Sequence, residues 1–270
     1  MSPLSTRGRT WFDALRGTAP VLPGLPHSVL ASDALLGEQP TRLVAVVPDP
    51  ASPFRRARRG EVGLREGWAL AQTVRDAMAL STHGPRPLLL AIVDVPSQAY
   101  GRREELLGIH LACAAAVDAY ASARLAGHPV IALLVGAAMS GAFLAHGYQA
   151  HRILALDDAA VMVHAMGREA AARVTRRSLD ELDQLGITNP PMSYRIMDYA
   201  RLGLLHELVT GVQAEAPTDR DIAKVRQAVL AALASIGPDE TDLAARLTSP
   251  TAQTGRAASR EVRERLAAQW

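Results

Sequence analysis

"HPVIALLVGAAMSGAFLAHG" (residues 128–147) joins a continuously apolar run to a series of small residues that opens a helical pattern. The run HPVIALLVG (128–136) predicts a strand that is buried on both faces. The following AAMSGAFLAHGYQA (137–150) predicts a short helix. A buried strand that leads directly into a helix is typical of α/β proteins, in which helices cover a parallel sheet.

The same alternation continues on both sides of this stretch. Apolar runs predict further strands at 41–49, 86–96, 151–156 and 159–167, and helical patterns lie at 60–81, within 97–127, across much of 168–200 and at 219–235. We therefore predict an α/β fold with a mainly parallel sheet and flanking helices. The expected organisation is an irregular, Gly- and Pro-rich arm over 1–40, one domain over 41–235 and a polar C-terminal tail over 236–270.

The composition excludes several classes of function. Apolar residues make up 49% of the 270 residues, which is enough to bury a large core, whereas a net charge of +2 does not indicate a nucleic-acid partner. Cys113 is the single cysteine, so no intrachain disulfide forms, and no Cys/His cluster has the spacing of a metal site. The chain has neither a signal-peptide pattern nor an apolar run of membrane-spanning length, so we expect a cytoplasmic protein with no membrane partner.

The glycines of VGAAMSG do not fit the common glycine motifs. Gly136 and Gly141 lack the middle glycine of a dinucleotide-binding fingerprint, and no Gly-Lys-Ser/Thr follows for a phosphate loop. Ala138 and Ala142 stand where the hydrolase elbow G-x-S-x-G needs glycines, so Ser140 is not predicted to be a nucleophile of that class. A helix cap or a hydrogen bond to substrate remains open for Ser140.

Two interpretations of the small residues remain. The first amides of a helix have no intrahelical partner and carry partial positive charge, so small side chains here would let a substrate oxygen approach them as in an oxyanion hole. Tight packing of the helix against the sheet would require small residues as well. The scattered His110, His128, His146 and His151 are interpreted as structural.

Longer segments resemble a known family. The order of VGAAMSGAFLAHGYQAHRILAL, AAVMVHAMG and RLGLLHELV resembles the crotonase superfamily and, within it, the carboxyltransferase domains of biotin-type carboxylases. RGRTWFDAL, EVGLREGWALAQTV and SQAYGRREELLGIHLACAAAVDAYASARLAGHPVIALLVG are similar to the gamma-subunit family of biotin-independent malonate decarboxylases. The likeness spans about residues 5–235. It implies a crotonase-like spiral of β-β-α units.

The resemblance also implies an activity and partners. In that family, malonyl-S-acyl carrier protein is decarboxylated to acetyl-S-acyl carrier protein and CO2 at an interface with a homologous beta subunit. The thioester is carried on a prosthetic group derived from dephospho-coenzyme A, and this chain is expected to bind no cofactor itself. Two alternatives stay open: a carboxyltransferase subunit of a biotin-dependent acyl-CoA carboxylase or decarboxylase, and a crotonase-type acyl-CoA hydratase or isomerase.

The candidate site residues follow from the resemblance. The amides of Gly141 and Ala142, with Ser140, match the family's oxyanion hole, which holds either the enolate oxygen or the leaving carboxylate. The expected substrate-binding residues are Met139, a second small-residue turn at Gly60, Val62 and Gly63, and Tyr100 and His164. The basic cluster Arg55, Arg56, Arg58 and Arg59 is either a solvated loop or the rim of a pocket for the phosphates of an acyl carrier.

Overall fold

The computed structural model describes residues 4–81 and 85–270 of the chain. Strands of the described chain form one sheet in the order β1-β2-β3-β4-β5-β7, and β6 pairs with the far end of β4. The strands are β1 Val29–Leu36, β2 Gln39–Val46, β3 Leu88–Val95, β4 Val130–Met139, β5 Arg152–Leu156, β6 Met162–His164 and β7 Glu207–Val209. β2 to β7 pair in parallel, whereas β1 runs antiparallel to β2.

Helices cover the sheet. They are α1 Arg7–Arg16, α2 Leu64–Leu80, α3 Arg102–Leu106, α4 Ile109–Leu125, α5 Ser140–Ala145, α6 Arg168–Thr175, α7 Leu179–Thr188, α8 Ile196–Arg201, α9 Asp219–Ala234, α10 Ala245–Thr248, α11 Pro250–Gly255 and α12 Ala257–Ala267. α2 and α4 approach closely at Gly67, where a Cβ atom would lie 2.7 Å from the backbone of Ala112. The prediction of an α/β fold with a mainly parallel sheet and flanking helices is confirmed.

The core lies where the sequence has its continuous apolar runs. All eight residues of β3 are buried because β2 and β4 flank this strand and helices cover its faces. Leu89, Leu90 and Ile92 are completely inaccessible to solvent. Burial on both faces explains why the strand lacks the apolar–polar alternation of a half-exposed sheet.

The prediction of an irregular segment over 1–40 is wrong at the level of secondary structure. α1 buries Trp11, Phe12 and Leu15 completely against the sheet, and β1 forms a hairpin with β2. Gly37 supplies the left-handed backbone of the tight turn, with φ +63°. The prolines and glycines between the two elements concealed them in the sequence. The division of the chain at residues 40 and 235 stays a prediction.

Two further boundaries differ from the prediction. The helix expected at 137–150 is confined to α5, because Ala137 to Met139 continue β4 and pair with β6. The strand expected at 159–167 is confined to β6, because only Met162 to His164 find a pairing partner in the last three residues of β4. The small residues of AAM therefore lie in a strand, and the helix starts at Ser140.

The C-terminal tail is helical but unevenly packed. α11 lies against the turn after α8, where a Cβ atom on Gly203 would come within 2.3 Å of the Ala252 nitrogen. α12, in contrast, buries none of its residues. Within residues 4–81 and 85–270, no helix combines the length and the apolar character that a membrane crossing requires.

Candidate active site

The chain changes from β4 to α5 at an unusual backbone position. Met139 is still extended and pairs with His164 of β6. Ser140 then takes φ +56°, a left-handed conformation that residues other than glycine rarely adopt. Such strain is found where the surrounding structure holds a residue in place, often at functional sites. α5 is only six residues long, so its start carries a correspondingly small dipole.

The hydroxyl of Ser140 has a backbone partner. Its Oγ donates a hydrogen bond of 2.9 Å to the carbonyl of Ala165, the residue after β6. A nucleophilic serine needs a base within hydrogen-bond reach. Among the described residues, no histidine is hydrogen-bonded to Ser140. The bond to Ala165 instead ties the start of α5 to the end of β6.

A glutamine that the sequence analysis missed joins the two predicted halves of the site. The backbone amide of Gly141 donates to Oε1 of Gln98 at 3.0 Å. The backbone of Gln98 itself forms a parallel bridge with Val62. The only signal in the sequence is a polar residue two positions after the Pro96 that ends a buried strand. Gln98 thus brings the loop at 60–63 next to the start of α5.

The amides of the loop at 60–63 are already engaged. The Gly60 amide, in a left-handed conformation at φ +80°, donates to the Ala57 carbonyl at 3.1 Å. The Val62 amide donates to the Ser97 carbonyl at 3.0 Å. The Gly63 amide donates to Oε2 of Glu66, also at 3.0 Å. None of these three amides is therefore free to bind a ligand, and Val62 itself is completely buried.

Tyr100 lies beside the arginine-rich loop. Its ring is 44% exposed and stacks under the guanidinium of Arg56, with 4.2 Å from Cζ to the ring centroid. Nε of Arg56 also pairs with the Glu61 carboxylate at 2.5 Å. A second stacking contact, Arg103 over Phe54 at 5.1 Å, joins the same two segments. The basic loop is thus attached to the loop that carries Tyr100 and Gln98.

His164 is the last residue of β6, and its backbone pairs with Met139. Its ring stacks on Tyr194 with 4.0 Å between centroids and 17° between planes. Nδ1 lies 3.1 Å from the nitrogen and 3.0 Å from the oxygen of Met166. Burial lowers the pKa of His164, and the contact with Met166 only partly offsets this effect. The ring is therefore neutral near pH 7.

A buried carboxylate explains the first glycine of VGAAMSG. Asp94 accepts hydrogen bonds from Ser5 Oγ at 2.5 Å, from the Gly8 amide at 3.1 Å and from the Ala137 amide at 3.2 Å. A Cβ atom on Gly136 would lie 2.0 Å from Oδ1 of Asp94. Gly136 is therefore required by packing, and it has no place in an oxyanion hole. Asp94 is the second residue that sequence reasoning missed.

The structure brings most of the predicted residues together at the carboxyl ends of the strands. Met139, Ser140 and Gly141 adjoin His164 through the pairing of β4 with β6, and Gln98 connects Gly141 to Val62. Ala142 does not present its side chain to the site, because that side chain is completely buried in the core. No group of three or more His, Cys, Asp or Glu side chains in the described ranges could hold a metal ion.

Comparison with known proteins places this geometry in a family. The family model "MdcE: Malonate decarboxylase gamma subunit" matches residues 57–270. A chain of a Pseudomonas malonate decarboxylase hetero-tetramer in complex with coenzyme A is 55% identical, with a TM-score of 0.92, over 98% of this chain and 100% of that one. A chain of the Pseudomonas MdcD-MdcE hetero-dimer gives 55% identity and a TM-score of 0.89 over the same shares.

More distant relatives match a smaller share of the chain or at a lower identity. The malonyl-S-ACP:biotin-protein carboxyltransferase MADD of Malonomonas rubra is 37% identical over 158 residues, which are 57% of this chain. The chain spans about half the length of this curated relative, 54%. The transcarboxylase 12S subunit is 19% identical with a TM-score of 0.60, over 83% of this chain and 39% of that one, and shows the carboxyltransferase fold alone.

Proposed function

The chain belongs to the malonate decarboxylase gamma-subunit family, and we propose that it forms half of an enzyme that decarboxylates malonyl-S-acyl carrier protein. The products are acetyl-S-acyl carrier protein and CO2. The observation that carries this proposal is the 55% identity to a malonate decarboxylase chain over 98% of this chain. Similarity of this extent covers the loop at 60–63, Gln98 and the start of α5 together.

The chemistry requires stabilisation of an enolate. When the carboxylate leaves as CO2, the electron pair of the broken C–C bond moves onto the α-carbon and the thioester oxygen. A proton then adds to the α-carbon and gives the acetyl thioester. Fixed hydrogen-bond donors beside the developing oxyanion lower the barrier, and the loss of one such donor typically costs about 3–4 kcal/mol.

We assign the main donor to the Gly141 amide, with Ala142 and Ser140 next to it. In the present structure Oε1 of Gln98 accepts this hydrogen bond, so a neutral carbonyl-type oxygen occupies the position proposed for the substrate oxygen. The thioester oxygen, or the carboxylate that leaves, would replace Gln98 as the acceptor. Met139 fixes the strand end behind this position, since it is buried and paired with His164.

The opposite side of the site is proposed to act by shape. Because the amides at Gly60, Val62 and Gly63 have internal acceptors, their role is to leave room for the acyl chain. Tyr100 and the neutral His164 form the polar wall. The arginine loop beside Tyr100 suits the phosphates of the dephospho-coenzyme A-derived carrier group, because guanidinium groups bind phosphate oxygens in a planar fork.

A homologous beta subunit is proposed to complete the site, and an acyl carrier protein to deliver the substrate. The related Pseudomonas chain was solved as an MdcD-MdcE hetero-dimer, which supports the first partner. The curated relative's substrate name, malonyl-S-ACP, supports the second. The substrate thioester is thus held on the carrier, and this chain supplies backbone donors and side-chain walls.

Carboxyl transfer to a biotin protein is a second candidate reaction. The curated relative is named as such a carboxyltransferase, and its catalysed step would share the same enolate. A hydratase or isomerase has less support, because it needs a free carboxylate in the pocket. Of four buried carboxylates in this region, Glu61, Glu66 and Asp94 have internal partners, which leaves Glu104 of α3 available to such an enzyme.

The test compares the chain alone with its complex with the beta subunit. Malonyl-carrier protein is incubated with each, and acetyl-thioester formation is followed by mass spectrometry. We expect activity in the complex only, with no inhibition by avidin. Activity of the isolated chain contradicts the shared site, and inhibition by avidin favours carboxyl transfer to biotin. Turnover of an enoyl-CoA by the chain alone would support the hydratase alternative.

A further inference from the structure

Three buried arginines lie near the amino ends of the strands, on the opposite side of the sheet's strand ends from the candidate active site. Arg124 lies in the last turn of α4, Arg152 begins β5 and Arg246 belongs to α10, and their exposed fractions are 8%, 7% and 8%. We call them the arginine cluster. Arg152 forms a two-point ion pair with Glu240, with N–O distances of 2.5 and 2.8 Å. Asp242, an exposed residue, exerts only a Coulombic attraction on Arg124.

The cluster therefore buries more positive than negative charge. Arg246 donates to the carbonyl of Ala150 and lies over the ring of Tyr148 at 5.1 Å, and neither of these groups is an anion. Burial lowers the pKa of Arg246, and the neighbouring Arg124 and Arg152 oppose its charge as well. A guanidinium stays protonated in a protein, so a buried and uncompensated one is strongly destabilising.

Three unpartnered donors belong to this cluster and to Tyr199, which interacts electrostatically with Arg246. Nε of Arg124, Nε of Arg246 and the hydroxyl of Tyr199 are buried without a hydrogen-bond partner. Burial raises the pKa of Tyr199 by more than the nearby charge of Arg246 lowers it, so the hydroxyl stays protonated. Each of these atoms carries a hydrogen to donate. The partner that is missing is consequently an acceptor, and the charge surplus requires that acceptor to be negative.

A small cavity is available for such an acceptor. It measures about 100 Å3 and is lined by Arg246 and Arg152, with His206, His151 and Ser249 around them. One water molecule takes about 30 Å3 of liquid volume, so the cavity has room for about three waters or for one small oxyanion. Water molecules would accept hydrogen bonds from the donors but would leave the surplus positive charge uncompensated. We propose that Arg152 and Arg246, the two members of the arginine cluster that line this cavity, bind a small inorganic oxyanion of the phosphate, sulfate or bicarbonate class, and that Arg124 adds positive charge beside them.

The bound oxyanion would attach the C-terminal segment to the core. Arg124 and Arg152 come from α4 and β5, whereas Glu240 and Arg246 come from the chain after α9. An anion held between these elements links segments that are more than 90 residues apart in the sequence, as the 96-residue separation of Arg246 and Ala150 illustrates. This anion site is independent of the proposed reaction, and it lies at the amino ends of the strands, away from the candidate active site.

Thermal unfolding of the full-length chain tests the proposal. Phosphate, sulfate, bicarbonate and chloride are titrated at constant ionic strength into the wild type, Arg246→Met and the matched control Arg263→Met, in which an exposed arginine of α12 is changed. We expect one oxyanion to raise Tm saturably, by about 5 °C at a hundredfold excess over its Kd, in wild type and control but not in Arg246→Met. The anion that saturates first identifies the ligand class.

Two results would overturn the site. One is an equal rise of Tm in Arg246→Met, and the other is the absence of any saturable rise in the wild type. Should Arg246→Met fail to fold, hydrogen exchange of the wild type decides instead. The saturating oxyanion should slow exchange at least fivefold at amides of residues 240–255 and leave the α2 amides unchanged. Unchanged exchange at 240–255 rejects the proposal.

Discussion

The side-chain oxygen of Gln98 accepts the backbone amide of Gly141 at 3.0 Å, across 43 residues of sequence. The same glutamine is bridged to Val62 through its backbone. One residue therefore holds the two predicted walls of the site together and occupies the amide that we assign to the substrate oxygen. This relationship makes Gln98 the first target for testing the proposed function.

Gln98→Glu should weaken substrate binding. A carboxylate accepts a hydrogen bond from the Gly141 amide that is about twice as strong as the bond to a neutral oxygen. The carboxylate also repels the anionic substrate. We expect KM of the two-subunit complex for malonyl thioester to rise about tenfold, equivalent to about 1.4 kcal/mol. Steady-state kinetics measure it, with Gln227→Glu on the exposed face of α9 as control. An unchanged KM would show that the substrate does not compete with Gln98.

Gly141 tolerates a methyl group but not a larger side chain. A Cβ atom there would lie 3.4 Å from Oε1 of Gln98, an ordinary contact, so Gly141→Ala should fold normally. Gly141→Leu should displace Gln98 and block the amide, which lowers kcat/KM at least about 100-fold. Both variants are assayed in the complex, and circular dichroism checks their fold. Full activity of Gly141→Leu contradicts the assignment of the oxyanion donor.

Ser140→Ala distinguishes a positioning hydroxyl from a nucleophile. Loss of the bond to Ala165 should reduce kcat by less than about tenfold, the equivalent of one neutral hydrogen bond. Ser140→Gly serves as a control, because glycine accepts the left-handed backbone at φ +56° without strain. Loss of activity by several orders of magnitude in both variants would instead identify Ser140 as the nucleophile.

Gly136→Ala should destabilise the fold. Its Cβ would collide with Asp94, which would lose its hydrogen bonds to Ser5, Gly8 and Ala137. We expect the free energy of unfolding to fall by about 3 kcal/mol, measured by urea denaturation. Gly167→Ala is the matched control, since nothing lies within 4 Å of its added methyl group. Equal stability of the two variants would contradict the packing role of Gly136.

His146 should make stability depend on pH. Complete burial lowers its pKa from 6.5 to about 4, with a partly compensating hydrogen bond to the Ile92 carbonyl. Between these values the unfolded chain binds more protons than the native one, so stability is full above pH 6.5 and falls as the pH drops towards 4. The loss at pH 4 should reach about 3 kcal/mol.

The variant His146→Gln isolates this contribution. Gln lacks the titration but can still bond to Tyr120 and Ile92, which the histidine contacts at 3.1 and 3.0 Å. Urea unfolding at pH 7 and pH 4.5 should therefore show a smaller acid-induced loss in the variant than in the wild type. Identical losses would mean that other buried groups, such as His128 and His151, account for the pH dependence.

The sequence predicted the site only in part. Small residues beside a strand end indicated the position of Ser140 and Gly141, because the required local geometry shows in local composition. Gln98 and Asp94 left almost no signal, since their partners Gly141 and Gly8 are 43 and 86 residues away. The burial of Arg246 likewise depends on contacts with Ala150 and Tyr148, about 100 residues earlier in the chain.

By itself the sequence determined the α/β alternation, the parallel sheet and the family, since these follow from periodicity, buried apolar runs and extended similarity. Only the tertiary structure decided that Gly136 accommodates Asp94 and that the amides at Val62 and Gly63 are occupied. It also decided that the first forty residues hold a helix and a strand of the sheet. The physical reason is that hydrogen-bond partners and close contacts are set by residues distant in the chain, whereas strands and helices follow local patterns.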